Sequence, residues 1–174
     1  MLAQPQTGSI ILVAYDSVTG NTEKMAAGVA EGAKSALSAN VALKRVGEVT
    51  TEDLLSADAI IVGSPVYFAN VSGAVKTFFD QWFTKYNVFA GTKMRNKVGA
   101  AFVTGMSISN GKELTMQAIH AAMLVNQMVV VGGGGAFGAS ATIGSDSMGI
   151  DEKELESARA LGKRVAEFVA TLKR

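Results

Sequence analysis

The sequence contains no cysteine and only one histidine, His120. The absence of cysteine excludes disulfides, a catalytic thiolate, and zinc or iron–sulfur sites with cysteine ligands. A single histidine also excludes metal sites that need several imidazole ligands. If this chain handles electrons, the carrier must therefore be an organic cofactor or a metal without thiolate ligands.

Charge and long hydrophobic runs are also scarce. Charged residues make up 18% of the chain and the net charge is +1, which argues against nucleic acid or an anionic membrane surface as a partner. The first apolar run, Ile10–Tyr15, is too short for a membrane span or a signal segment. With 174 residues, 48% of them hydrophobic, we expect residues 1–174 to form a single cytoplasmic globular domain.

Short apolar runs rich in β-branched residues predict the strands. Four of them lack alternation and are typical of strands buried on both faces, whereas a fifth alternates and predicts an edge strand. The buried runs are Ile10–Tyr15, Ala59–Val62, Val98–Val103 and Met128–Val131, and the alternating run is Val41–Val46.

Apolar residues at helical spacing predict helices between and after these strands. The patterns cover Thr22–Leu37, Asn70–Phe83, Lys112–Val125 and Asp151–Leu172. Strand followed by helix, repeated five times, predicts a three-layer α/β sandwich with a parallel five-stranded sheet in the order 2-1-3-4-5. The glycine-rich stretch Gly132–Gly149 is interpreted as a loop.

The segment between the first strand and the first helix combines hydroxyl side chains with a glycine. Unpaired N–H groups and the helix dipole favour an anion at such a helix start. Hydroxyls can donate to its oxygens, and the absence of a Gly-Lys-Ser/Thr ending excludes a Walker loop. We therefore predict a phosphate site here, with a capped helix that binds no ligand as the alternative. Its residues are Ser17, Thr19, Gly20, Asn21 and Thr22.

Two further loops follow strands that end at the same edge of the predicted sheet. The stretch Gly63–Gly73 carries adjacent aromatics, Tyr67 and Phe68, which indicate either stacking on a flat aromatic ligand or a cover for the sheet end. The polar stretch Thr104–Gly111 would form a third wall.

Two other patterns have less specific interpretations. Gly133–Gly138 formally matches G-x-G-x-x-G, but no helix follows at once, so we predict a flexible loop near the site with Phe137 as a lid residue. An aromatic stripe in the second helix indicates core or a subunit contact. It consists of Phe78, Phe79, Trp82 and Phe83.

These motifs resemble those of known flavoproteins. Ser17-x-Thr19-Gly20-x-Thr22 resembles the phosphate loop of flavodoxins. The wider chain resembles the NAD(P)H:quinone oxidoreductases related to tryptophan-repressor-binding protein. The stretches that carry this second resemblance are Gly63-x-Pro65-x-x-Phe68-x-Asn70, Asn110-Gly111-x-Glu113, Phe137-Gly138-Ala139 and the segment 154–166.

The resemblance implies a flavodoxin-like fold, bound FMN, and two-electron transfer from NADH or NADPH to a quinone by a tetramer. For this chain we expect a homo-oligomer, either a dimer or a tetramer. FMN would carry the chemistry without a catalytic side chain. The five residues of the first loop would hold its phosphate. The ring and ribityl chain would contact Pro65, Val66, Tyr67, Phe68 and Asn70. The far side would be closed by Thr104, Gly105, Met106, Ser107, Asn110 and Gly111.

Some residues depart from the family pattern. Tyr67 stands where the family commonly has arginine, and the segments 47–54 and 132–138 are shorter than the family's insertions. The alternative function is a flavodoxin-type electron carrier with a dedicated redox partner, although the net charge of +1 differs from the acidic surface that steers such carriers. A regulatory protein with a degenerate site is a third hypothesis, against which the intact phosphate loop argues.

Overall fold

A parallel sheet forms the centre of the computed structural model, which describes residues 8–36, 39–144 and 149–173. Its strands follow the order β2-β1-β3-β4-β5, and β6 also pairs with β4. Every pairing is parallel, so the predicted fold and strand order are confirmed. The strands are β1 (Ser9–Tyr15), β2 (Ala39–Arg45), β3 (Ala59–Pro65), β4 (Val98–Gly105), β5 (Val129–Val130) and β6 (Ala139–Thr142).

Helices cover both faces of the sheet. One face packs against α1 and α5, and the other packs against α2, α3 and α4. No helix within the described ranges is long and apolar enough to cross a membrane. The helices are α1 (Asn21–Ser35), α2 (Thr51–Ser56), α3 (Gly73–Thr84), α4 (Lys112–Val125) and α5 (Glu152–Leu172).

The central strands are apolar throughout because each of their faces lies in a core. In β1, Ile11 and Val13 contribute to the core beneath α1 and α5, while Leu12 and Ala14 contribute to the opposite core. All eight residues of β4 are buried. Successive side chains point to opposite faces, so a strand covered by helices on both sides loses the polar alternation of a half-exposed strand.

Several element boundaries differ from the prediction by a few residues. The helix predicted from Asn70 begins at Gly73, because the Ser72 hydroxyl caps it by accepting a hydrogen bond from the Val75 N–H at 3.3 Å. The helix after β2 was predicted only from the alternating order of elements. It is the six-residue α2, which is too short to show a helical period. Leu37, the predicted end of α1, lies outside the described residues.

The fifth strand is split, which corrects the prediction over Met128–Val131. The chain pairs with β4 only through Val129 and Val130, leaves the sheet edge, and returns at Ala139 opposite Phe102. The stretch interpreted as a loop, Gly132–Gly149, therefore contains a strand, β6. Its residues are small and polar in alternation, so its pairing with β4 defines it better than its own composition does.

Candidate cofactor site

Three loops meet at the carboxyl edge of the sheet, and we name them loop 1 (residues 16–20), loop 2 (66–72) and loop 3 (106–111). Backbone hydrogen bonds join the strand exits that lead into them. The Asp16 N–H donates to the Gly63 carbonyl at 3.1 Å, and the Val66 N–H donates to the Thr104 carbonyl at 2.8 Å. Ile143 extends this line by donating to the Gly105 carbonyl at 2.8 Å. The order β2-β1-β3-β4 thus brings the three predicted site segments together.

Loop 1 ends at the N-terminus of α1. Gly20 occupies the N-cap position with φ of +84°, a left-handed conformation that favours glycine, and it makes no side-chain capping bond. The first amides of α1 therefore lack an intrahelical partner and carry the positive end of the helix dipole. Beside these backbone amides, the side-chain amide nitrogen of Asn21 donates to the Thr19 hydroxyl at 2.9 Å. This helix start presents backbone donors of the kind that bind an anion.

Three buried hydroxyls lie where an anion would bind. The Ser17 side chain is 6% exposed, and its Oγ has no hydrogen-bond partner among the described residues. Burying such a group unpaired costs about 1–3 kcal/mol, so a ligand that accepts its hydrogen bond would remove the penalty. The Thr22 and Thr104 hydroxyls lie 2.8 Å apart and connect α1 to β4. The residues present therefore fit a phosphate group.

Loop 2 is a tight turn with a strained backbone. Tyr67 and Asn70 exchange backbone hydrogen bonds of 2.9 and 3.0 Å, and the two residues between them have left-handed φ angles, 51° at Phe68 and 59° at Ala69. Such angles cost non-glycine residues about 1–3 kcal/mol each and concentrate at functional sites. The Phe68 side chain is fully exposed, and Tyr67 is 44% exposed. A flat ligand that stacked on these rings would bury apolar area that now contacts solvent.

Loop 3 lies against loop 2. A Cβ at Gly111, which has φ of +90°, would collide with the Ala69 side chain, so only glycine permits this approach. In the amide orientation that satisfies both hydrogen bonds, the Asn110 side chain spans its own loop: its oxygen accepts from the Met106 N–H at 3.0 Å and its nitrogen donates to the Ser107 carbonyl at 3.2 Å. Met106 and Ile108, by contrast, are exposed. Loops 2 and 3 together expose an apolar surface beside the phosphate-type loop.

The predicted residues divide between strand ends and loops. Pro65 ends β3 and pairs with Thr104 in β4, and Gly105 ends β4. Val66, Tyr67, Phe68 and Asn70 lie in loop 2, while Met106, Ser107, Asn110 and Gly111 lie in loop 3. Ser64, which the prediction omitted, is fully buried; its hydroxyl accepts from the Ser72 N–H at 2.9 Å and donates to the Pro65 carbonyl at 2.7 Å. Ser64 therefore connects the end of β3 to the end of loop 2 and fixes the path of that loop.

A polar cluster that the local sequence pattern does not reveal lies behind loop 1. The Arg45 guanidinium donates to the Ser17 carbonyl at 2.7 Å and to the Glu23 carboxylate at 2.8 Å. The Tyr15 hydroxyl donates to the same carboxylate at 2.9 Å. Burial, and then the Glu23 carboxylate, raise the pKa of Tyr15, so its hydroxyl stays protonated as the donor. The signal that could have found this cluster is the parallel pairing of β1 and β2, which sets Tyr15 opposite Arg45.

The glycine-rich loop between β5 and β6 lies elsewhere. The Ser157 hydroxyl donates to the Gly134 carbonyl at 2.7 Å, and the Arg164 side chain donates to the Gly132 carbonyl at 2.8 Å, so the loop packs against α5. A Cβ at Gly138 would meet the carbonyl of Ala101, in the middle of β4. The loop therefore flanks the sheet edge rather than its carboxyl end, and the role of Phe137 as a lid residue stays a prediction.

Known proteins are similar to this chain in sequence and in fold. Residues 10–142 match the family described as NADPH-dependent FMN reductase. The NAD(P)H dehydrogenase (quinone) of Paracoccus denitrificans (strain Pd 1222) is 34% identical over 201 aligned positions, with 93% of this chain and 94% of the relative covered. A flavodoxin of Aquifex aeolicus (strain VF5) is 37% identical over 166 positions, with 92% and 86% covered.

A solved structure extends the comparison. The WrbA-like flavodoxin from Agrobacterium tumefaciens superposes with a TM-score of 0.79 at 27% identity, covering 94% of this chain and 99% of that one. The alignment with the Paracoccus protein is longer than the 174 residues of this chain, which agrees with shortened loops here. Because the family match spans well over half of the sequence and includes β1, loop 1 and both other loops, the chain belongs to the NADPH-dependent FMN reductase family.

Proposed function

We propose that residues 1–174 act as one FMN-binding domain that transfers two electrons from NADH or NADPH to a quinone-type acceptor. When bound, FMN supplies the redox chemistry, and the chain binds and orients it. A cytoplasmic location, where nicotinamide reductants are available, fits this function. The family membership and the curated relative that is named a quinone dehydrogenase support the proposal.

Loop 1 and the start of α1 would hold the phosphate. The unpaired Ser17 hydroxyl and the free amides of the first turn supply donors, and the helix dipole favours the negative charge. Thr19, Asn21 and Thr22 extend the donor set. Gly20 allows the left-handed turn that directs these groups to one side.

Loops 2 and 3 would bind the ring and ribityl chain. Tyr67 and Phe68 offer exposed aromatic faces, and Met106 offers an exposed thioether side chain. Backbone groups near the exits of β3 and β4 would meet the polar ring atoms. The residues in this part of the proposal are Pro65, Val66, Tyr67, Phe68, Asn70, Thr104, Gly105, Met106, Ser107, Asn110 and Gly111.

The observation that carries the choice of acceptor is the lack of charge beside the ring site. No residue in the stretches 63–73 and 104–111 is charged, and the exposed side chains there are largely apolar. Redox proteins that dock on a partner protein use complementary charges to steer the encounter. An uncharged apolar rim favours a neutral, flat small molecule such as a quinone. The flavodoxin relative keeps the electron carrier as the second candidate.

One anaerobic titration separates these functions. The protein is incubated with FMN, desalted, and its absorbance is recorded before and after NADPH or NADH is added. We expect retained flavin that bleaches fully with one equivalent of reductant and regains its colour when a neutral benzoquinone is added. Flavin that stays oxidised with both nicotinamides, and is reduced only by dithionite, would favour the electron carrier. Failure to retain flavin would contradict both functions.

We also propose that the chain forms a homo-oligomer, a dimer or a tetramer, through the outer face of α3 and α4. A groove of about 1010 Å³ lies between these helices and begins beside Asn70 of loop 2. Phe83 projects at its edge, 68% exposed, and stacks edge-on with Phe89 at 6.0 Å. Three alanines of α4 form the shallow side, namely Ala118, Ala121 and Ala122.

A second copy of this chain fits that groove better than a charged partner does. A two-fold axis would place the projecting Phe83 of each copy over the alanines of the other, because such an interface uses the same patch on both subunits. The groove carries one cation and one anion, Lys76 and Asp80, 2.6 Å apart, so two copies would not repel each other.

This arrangement predicts that Phe83→Glu breaks the two-fold interface, so that a dimer becomes a monomer and a tetramer becomes a dimer, since the substitution would bury a carboxylate in an apolar contact. The mass in solution, measured by light scattering at micromolar concentration, checks the prediction. Leu172→Glu on α5 is the matched control, because Leu172 is similarly exposed, at 56%, but lies far from the groove. A monomeric wild-type protein, or a mass in solution that Phe83→Glu leaves unchanged, would contradict this interface.

A further inference from the structure

Loop 1 has no basic side chain, yet a guanidinium from another element is bound to its backbone. Residues 16–22 contain no lysine or arginine. Arg45, the last residue of the edge strand β2, donates to the Ser17 carbonyl at 2.7 Å across 28 positions of sequence. We propose that Arg45 is a positioning residue that makes loop 1 selective for the phosphate of FMN. This inference rests on the proposed function.

The geometry of the peptide unit explains how Arg45 would act. An anion site needs N–H groups directed at the ligand and carbonyl oxygens directed away from it. The peptide that links Ser17 to Val18 is planar and trans, so its N–H points opposite to its C=O. By binding the Ser17 carbonyl, the guanidinium fixes the direction of the Val18 N–H as well. Without this bond the peptide could rotate and present its oxygen to the phosphate.

Neighbouring groups hold the guanidinium in place. Its second nitrogen donates to the Glu23 carboxylate at 2.8 Å, and the other oxygen of that carboxylate accepts from the Tyr15 hydroxyl at 2.9 Å. The guanidinium also lies over the Tyr15 ring, 5.4 Å from its centroid. Five donors in a rigid fork suit arginine, and not lysine, for binding a carbonyl and a carboxylate together.

The exposure of this cluster separates positioning from fold stability. The Arg45 and Glu23 side chains are 43% and 46% exposed, and ion pairs at that exposure add little to stability. The bond to Ser17 is charge-assisted and polarises the peptide, which strengthens the Val18 N–H as a donor. Loss of Arg45 should therefore weaken phosphate binding much more than it weakens the fold.

The test compares two flavins on two variants. Arg45→Gln removes the guanidinium group with its positive charge, and Lys44→Gln removes one positive charge at the preceding residue. Lys44 is a matched control because its side chain lies on the opposite face of β2, where it binds Asp53 at 2.8 Å. Dissociation constants for FMN and for riboflavin, which lacks the phosphate, are measured by quenching of flavin fluorescence. Circular dichroism and thermal melting check that each variant folds.

We expect Arg45→Gln to raise the dissociation constant for FMN roughly tenfold or more, the effect of losing one charge-assisted hydrogen bond, and to leave that for riboflavin nearly unchanged. Lys44→Gln should change neither, and Arg45→Lys should recover only part of the loss.

Unchanged FMN affinity in Arg45→Gln would overturn the inference. If Arg45→Gln weakened the affinities for FMN and riboflavin equally, Arg45 would have only a structural role. If Lys44→Gln weakened the FMN affinity as much as Arg45→Gln does, the effect would come from the overall positive charge of the protein and not from the position of Arg45. A wild-type protein that binds neither flavin would instead overturn the proposed function.

Discussion

Replacing Ser17 with aspartate is expected to weaken FMN binding by at least about a hundredfold. The Ser17 side chain is buried beside the start of α1, where the proposed phosphate site lies. A carboxylate about 5 Å from the phosphate repels it by about 3 kcal/mol per charge at an effective dielectric constant of about 20. The free protein should still fold, because a helix N-terminus also stabilises a carboxylate. Isothermal titration with FMN measures the loss.

Riboflavin and a second variant provide the controls for Ser17→Asp. Riboflavin has no phosphate, so its affinity should change little. Ser17→Ala removes only the hydroxyl, and we expect a loss of about tenfold in FMN affinity without loss of apoprotein stability, because that hydroxyl has no partner among the described residues. If Ser17→Asp bound FMN as tightly as wild type, the phosphate could not lie at loop 1.

Replacing Phe102 with alanine is expected to lower the free energy of unfolding by about 3–5 kcal/mol, the usual cost of truncating a fully buried phenylalanine. Phe102 lies in the middle of β4 and is 0% exposed. Its ring occupies the space in which a Cβ at Gly63 would stand, so the cavity would open beside β3, against a residue that has no side chain to fill it. Urea denaturation of the apoprotein gives the difference, and the melting temperature should fall by about 10 °C.

Phe68→Ala is the matched control for Phe102→Ala. It makes the same chemical change at a side chain that is fully exposed, in loop 2. Apoprotein stability should therefore stay within about 0.5 kcal/mol of wild type, the usual range for surface substitutions. If Phe102→Ala destabilised the apoprotein as little as Phe68→Ala does, the Phe102 side chain would not be a closely packed core residue.

The local hydrophobic pattern, together with the alternation of strands and helices along the chain, was enough to predict the fold. The apolar runs located β1, β3 and β4 because these strands are buried on both faces, and helical spacing located α4 at its exact bounds, Lys112–Val125. The hydroxyl-rich composition of loop 1 indicated an anion site. All of these signals could be found because each of them lies within a few consecutive residues. Only one prediction joined residues that are distant in sequence: the three loops were expected to meet because the carboxyl ends of parallel strands lie at one edge of a sheet.

Features that depend on distant partners escaped the sequence analysis. Strand β6 is defined by its pairing with Phe102 and its neighbours, since alanine, serine and threonine alone do not specify a strand. Arg45 reaches Ser17 only because β2 pairs with β1 in one particular register. The left-handed angles at Phe68 and Ala69 contradict the preferences of those residues, so the contacts of loop 2 must impose them.

The line of backbone hydrogen bonds across the strand exits has a consequence for how quickly the cofactor can enter. The amides of Asp16, Val66 and Ile143 all donate to carbonyls of this chain, and none of these bonds involves a ligand. These amides should therefore resist exchange with deuterated water in the apoprotein, whereas the free amides at the start of α1 should exchange fast until FMN covers them. Association would then leave these strand-exit bonds intact, so its rate should be set by diffusion and by desolvation of the exposed loop surfaces.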